Sequence, residues 1–235
     1  MSPLRSGRVP ARNDGRAALD HHHEHYEGGP GLNPWLEERL AGLGAAGPVL
    51  DFGCGRGYWL DHMTTKGLVP VGIEPDPNRV REAAVYAPAV VGEGGRLPFA
   101  DASFGLVWCI HVLHHLDDAA AALVEVRRVL RPGGHVILAE TVEDNPVVRI
   151  GRRVRPEWDG VPIQSRFTAG ALVAMLQASG LDVVDQRQHS LVSFAVWALP
   201  VGARSAWNGL SRAEGWLPGS LNRWGAHLEC VGRAR

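Results

Sequence analysis

Along residues 48–140 short apolar runs alternate with segments of helical period. Val49-Leu50-Asp51-Phe52 predicts a buried strand, then a glycine-rich turn and a helix through Trp59, Leu60 and Met63. Leu68 to Ile73 predicts a second strand, Ala89 to Val91 a third, Phe104 to Ile110 a fourth and Val136 to Ala139 a fifth. Asn33 with Pro34, and Asp76 with Pro77, are N-cap and first-turn pairs that open helices. A helix from about Asp118 aligns Leu123, Val126, Val129 and Leu130, and Pro132-Gly133-Gly134 is expected to stop it. Strands and helices alternating in this way imply βαβ crossovers: an α/β fold, a mostly parallel sheet with helices on both faces.

The flanks are less regular. Residues 1–30, punctuated by proline and glycine without apolar periodicity, read as a flexible lead-in. Residues 31–235 then read as a single domain. Residues 141–166 are expected to be an insertion carrying Arg149, Arg152, Arg153 and Arg155. Thr168 caps a helix through Leu172, Met175 and Leu176 that ends at Gly180, and Leu181 to Val184 resumes as strand. An irregular stretch, 190–225, holds Trp197, Trp207, Trp216 and Trp224, and His227 to Val231 forms a last strand.

Charge narrows the functions. Lys and Arg total 24 against 25 Asp and Glu, a net charge of -1, so no basic excess points to nucleic acid. Leu191 to Val201, the longest apolar run, is broken by Ser193 and falls short of the roughly 20 residues of a membrane span. No secretory signal opens the chain, and Cys54, Cys109 and Cys230 are too scattered for a disulfide framework. A reducing, cytoplasmic setting is expected.

The sharpest chemical signal is Asp51-Phe52-Gly53-Cys54-Gly55-Arg56-Gly57 at the end of the first strand. Its glycines allow a tight turn and close approach of a ligand. Glu74 ends the second strand, where an acid can accept both ribose hydroxyls of a nucleoside. A dinucleotide or an S-adenosyl compound can use such a crevice. The dinucleotide fingerprint needs glycine at 58, where Tyr58 stands, and Asp51 would repel a pyrophosphate. The same acid suits a ligand bearing an ammonium and a sulfonium.

The chain resembles a class I S-adenosylmethionine-dependent methyltransferase of the small-molecule, type 11-like kind. Val49 to Gly57 is similar to the family's first motif and Gly72-Ile73-Glu74-Pro75-Asp76 to its second. Arg96 to Val107 resembles the run into the fourth strand, and Leu130 to Gly134 the turn before the fifth. The resemblance implies a Rossmann-like sheet of seven strands, mostly parallel with the last, His227 to Val231, antiparallel. It implies S-adenosyl-L-methionine as cofactor and S-adenosyl-L-homocysteine as product. It assigns Asp51, Gly53, Cys54, Gly55 and Gly57 to the methionyl part, Glu74 to the ribose, Glu93 to the adenine and Ile110 to the neighbourhood of the methyl, with Pro75 and Gly94 also at the cofactor site. A monomer or homodimer acting on a small molecule at O, N or C is expected. A non-methylating protein that binds the same cofactor, and an RNA or protein methyltransferase, are the alternatives.

Methyl transfer needs alignment of a nucleophile and sometimes removal of its proton. His111, His114 and His115 follow the fourth strand at the crevice; His111 is the preferred base, His114 the second, and His115 a substrate contact. His111 and His114 lack a third ligand at helical spacing, so no metal site is expected. Tyr26, beside the His21-His22-His23-Glu24-His25 run, is a substrate contact if the lead-in folds over the pocket as a lid. Arg153 in the insertion is a candidate for an anionic group on the acceptor.

Overall fold

The computed structural model describes residues 33–154, 157–158, 161–191, 213–214 and 216–235. Its elements are α1 (Pro34–Leu43), β1 (Val49–Phe52), α2 (Tyr58–Thr65), β2 (Pro70–Glu74), α3 (Pro77–Ala83), β3 (Ala89–Val91), β4 (Phe104–Ile110), α4 (Ala119–Val129), β5 (Leu130–Thr141), α5 (Pro146–Val154), β6 (Glu157–Trp158), β7 (Val161–Pro162), α6 (Ala169–Ala178), β8 (Leu181–His189) and β9 (His227–Ala234). One seven-stranded sheet runs β3-β2-β1-β4-β5-β9-β8, and β6 and β7 pair in a separate ribbon. Strands β1 to β5 are parallel, and β9 is antiparallel to both of its neighbours, as the resemblance implied.

Alternation along each strand sends side chains to two cores. Leu50, Val107, Cys109, Val136 and Leu138 face α4 and α6, meeting Leu123, Val126, Leu172 and Leu176. Val49, Leu106, Trp108 and Ile137 face the other way, against Leu36, Leu40, Trp59 and Met63 of α1 and α2. The helices begin where their caps stand: Asn33, Asp76, Asp118 and Thr168 each accept a backbone N–H of the following turn.

Four strands differ from expectation: β2 runs Pro70–Glu74, starting two residues later and ending one later, β9 continues three residues to Ala234, and β5 and β8 differ more. β5 begins at Leu130, directly after α4, and absorbs Pro132-Gly133-Gly134 in a register shift opposite Phe104 and Leu106. β8 continues five residues beyond Val184 because it is an edge strand with one polar face, and a bulge between Val183 and Asp185 breaks its alternation. Of the 141–166 insertion, α5 and the β6–β7 ribbon are ordered elements. Tyr26, Arg155, Trp197, Trp207 and the 1–30 lead-in lie outside the described residues.

Polar contacts tie α1 to the last two strands. Asn33 donates through Nδ2 to the buried Glu229 of β9. Arg187 of β8 donates to Glu229 at 2.5 Å and to Asn33 Oδ1 at 2.7 Å. Arg39 pairs with Asp185 at 2.7 Å and covers the Trp35 ring at 4.3 Å. Arg187 is partly solvated, so Arg187→Ala is expected to lower unfolding free energy by about 1–3 kcal/mol. A denaturant melt showing a loss below about 0.5 kcal/mol would mean that this clamp adds nothing.

Candidate active site

The carboxyl ends of β1, β2, β4 and β5 form the crevice of the sheet, and most of the residues singled out above stand there. The loop after β1 folds back on β2, with Gly53 and Cys54 both donating their N–H to the Ile73 carbonyl at 2.9 and 3.0 Å. Gly57 has φ +90°, and a Cβ there would meet the Cα of Ala83 at 2.7 Å, so glycine lets the loop close onto α3. Gly55 has φ +53° but faces space, with nothing within 4 Å of where its Cβ would lie. That is a cradle a side chain would fill.

Two buried acids flank the cradle. Asp51 is 3% exposed, and its Oδ2 has no hydrogen-bond partner among the described residues. Burial, with the nearby Glu74 charge, pushes its carboxyl up to about 8. Glu74 accepts the Gly55 N–H at 3.2 Å and the Asp76 N–H at 3.3 Å. Burial raises its pKa as well, against the opposing pull of Arg79 and those two N–H groups. An unpaired buried acid beside an open glycine cradle fits a cationic ligand and disfavours a phosphate.

The remaining cofactor-side candidates fall around this pair. Cys54 is buried, and burial together with Asp51 and Glu74 drives its thiol pKa far up, so it is inert. Gly94 is buried against Phe52 and Leu116, Pro75 and Glu93 are exposed, and Ile110 is half-buried.

The histidines form a second group at the ends of β4, β5, β8 and β9. His111 takes φ +57°, and its N–H donates to the Ala139 carbonyl at 2.8 Å. Glu140, fully buried at the end of β5, accepts Val112 N at 2.9 Å, Leu113 N at 2.6 Å and His114 Nδ1 at 2.7 Å. Burial alone would raise the Glu140 pKa; the His114 charge and hydrogen bond, His111 and the Leu113 N–H hold it at about 2. His115 stacks beside His114 with ring centroids 4.0 Å apart. His227 stands 5.6 Å from His111 and 5.6 Å from His189, whose Nε2 is 3.2 Å from Glu229. Arg153 stands exposed on α5, outside this set of contacts.

Glu140 and His227 escaped the sequence reading. Glu140 had the same signal as Glu74, an acid closing an apolar parallel strand. His227 enters only because β9 starts at the edge where β4 and β5 end. Glu140 of β5 joins the two histidines that lack a third potential ligand at helical spacing: one possible ligand atom each from His111, His114 and Glu140 lie within 4.8 Å of one another.

Residues 50–138 match the family model of a methyltransferase domain. This stretch is a class I, S-adenosylmethionine-dependent methyltransferase domain. Among relatives of the chain, 2-methyl-6-phytyl-1,4-hydroquinone methyltransferase of Synechocystis sp. is 29% identical over 181 residues, covering 72% of this chain and 56% of that protein. The 27-O-demethylrifamycin SV methyltransferase of Amycolatopsis mediterranei is 36% identical over 118 residues, 45% of this chain and 43% of that protein. The chain thus spans about half the length of these curated relatives. The Haloferax volcanii methyltransferase solved in complex with the Trm112 activator has a TM-score of 0.66 at 22% identity, covering 94% of each chain, a likeness of fold. No helix of the methyltransferase domain or of the other described residues is long and apolar enough to cross a membrane.

Gly55→Ala tests the cradle. The free protein has room for the methyl, so the stability loss is the backbone strain of about 1–2 kcal/mol. S-adenosylhomocysteine affinity is expected to fall at least about tenfold, a loss of about 1.4 kcal/mol in binding. Unchanged affinity by calorimetry, with the variant folded, would place the ligand elsewhere.

Proposed function

We propose that the protein moves a methyl group from S-adenosyl-L-methionine to an O, N or C nucleophile of a small-molecule acceptor, leaving S-adenosyl-L-homocysteine. The observation that carries this reading is the pair of buried acids, Asp51 with one unpartnered oxygen and Glu74 at the loop, around a glycine cradle open to a ligand. The acceptor class is supported by the relatives named for a prenylated hydroquinone and for a rifamycin. Three buried free cysteines support a reducing, cytoplasmic setting, and a monomer or homodimer suffices for this chemistry.

The cofactor supplies a methyl already activated by its sulfonium. The chain's residues bind and align. Asp51 takes the ammonium, Gly53, Cys54, Gly55 and Gly57 line the methionyl part, and Glu74 with Pro75 holds the ribose. Glu93 and Gly94 border the adenine, and Ile110 packs beside the methyl. His111, half-buried at the mouth, takes the acceptor's proton, with His114 as the second choice. His115, Arg153 and Tyr26 belong to the acceptor side.

Titration with S-adenosylmethionine, S-adenosylhomocysteine and NAD is the direct test. Glu74→Ala is expected to weaken both S-adenosyl compounds by about 2–4 kcal/mol, the scale of charge-assisted bonds to two hydroxyls. Binding of NAD in their place would overturn the reading. Binding of both without S-adenosylhomocysteine formation across an acceptor screen would leave a non-methylating protein. His111→Ala should lower turnover more than cofactor affinity; equal turnover on the true acceptor removes His111 from the mechanism.

Asp51 gives a pH signature. Its raised pKa means that the free protein keeps this carboxyl protonated below about 8, and that ionising it costs stability as pH rises from 3.8 through that value. An ammonium beside Asp51 favours the ionised form, so cofactor binding at about pH 7 expels a proton. Affinity should therefore rise about tenfold per pH unit between about pH 6 and 8, and Asp51→Asn should abolish the slope. Calorimetry in buffers of different ionisation enthalpy reads the proton directly, and a buffer-independent heat would refute the assignment.

A further inference from the structure

We propose that His111, His114 and Glu140 bind a divalent transition-metal ion at the acceptor side of the crevice. Two imidazoles and one carboxylate offer ligand atoms within 4.8 Å of one another, drawn from β5 and the turn after β4. His114 Nδ1 and Glu140 Oε2 are already 2.7 Å apart, and a small shift opens them to the roughly 3.4 Å between ligands that each sit about 2.1 Å from a tetrahedral ion. The two are in hydrogen-bond contact, where a cation would take the place of the shared hydrogen. The other carboxylate oxygen is held by the Val112 and Leu113 N–H groups, which is the outer hydrogen bonding that orients a one-oxygen ligand. His111 keeps a left-handed backbone, φ +57°, that a non-glycine residue adopts at a cost and that turns its ring toward this group, 6.3 Å from His114. His227 adds a fourth imidazole 5.6 Å from His111.

The donor set selects the ion. Imidazole nitrogens suit zinc, iron(II) or cobalt(II), and a site for magnesium would be built of oxygens. Of the three ligands His111 is the most exposed, so the open positions lie on its side. One carboxylate and two neutral imidazoles leave a divalent ion with one positive charge, matched to an anionic acceptor oxygen. With the ion in place His111 serves as a ligand and no longer as the base: an acceptor hydroxyl on the ion gives its proton to water, and its oxygen then bonds to the methyl carbon while the carbon–sulfur bond breaks and its electron pair stays on sulfur. The inference rests on the methyl-transfer reading for that acceptor only; the ion is tested without cofactor.

The test uses the full chain with His21, His22, His23 and His25 each changed to serine, which removes the competing N-terminal run. Titration with zinc alone, and with cobalt(II) followed by visible absorption, is expected to show one equivalent bound, with magnesium giving none. H111Q and E140Q should each weaken binding at least about tenfold. Glu140 is buried and its variant can misfold; H111Q, at a half-buried position, then decides, with a thermal melt in chelator confirming its fold. No cobalt absorption at one equivalent in the run-free chain, or equal affinity in H111Q, would overturn the site. S-adenosylhomocysteine titration of the same samples reads the methyl-transfer assignment separately.

Discussion

The geometry of the histidine edge of the crevice depends on the Glu140 carboxylate. It is fully buried and ionised, and it collects two consecutive backbone N–H groups and an imidazole from the turn after β4. A charge in that position is tolerable only because all its partners are in place. The turn is thereby held in one shape, His111 is fixed in a strained backbone conformation, and His114 is fixed in ring orientation. His114 in turn accepts the N–H groups of Gln164 and Ser165 on its carbonyl, which seats the chain leading into α6. One acid on β5 thus orders residues from two other parts of the sequence, the turn after β4 and the chain leading into α6.

The cofactor side follows the opposite electrostatic plan. Asp51 is as buried as Glu140 but has an oxygen with no partner, and Glu74 nearby makes its ionisation harder still. In the free protein this is a liability that protonation relieves. A bound ammonium relieves it better. The crevice therefore joins a satisfied acid, which builds structure, to an unsatisfied one, which waits for a ligand, and their opposite pKa shifts distinguish the two.

This division explains what was legible in the sequence. Helix starts at Asn33, Asp76 and Thr168, strands β1, β3 and β4 at their full lengths, and the glycine loop with Asp51 and Glu74 all depend on neighbours within a few residues, and local pattern records them. The Glu140–His114 pair spans 26 residues, and the Asn33–Glu229 contact 196. Each member has an ordinary local explanation, a strand end or a helix cap, so hydrophobic periodicity does not announce the partnership. The sequence signal of β8 stops short of the strand's end for a related reason. Val184 sits in a bulge, and the charged residues that follow face solvent or α1, so the alternating signal fades where the strand continues.

The position of β9 has a kinetic consequence. It is the last of the seven strands in the sequence, yet it occupies an interior place between β5 and β8, hydrogen-bonded on both sides. Until β9 is made and inserted, β5 and β8 present open edges with no ladder partner between them, and the Asn33 end of α1 lacks Glu229. Contacts this distant in sequence form slowly, because loop closure precedes any gain. A nascent or refolding chain must therefore pass through a stage with an exposed β5 edge, the form most open to mispairing with another copy. Capture of β9 closes both of these edges at once, and it brings Glu229 to Asn33 in the same step.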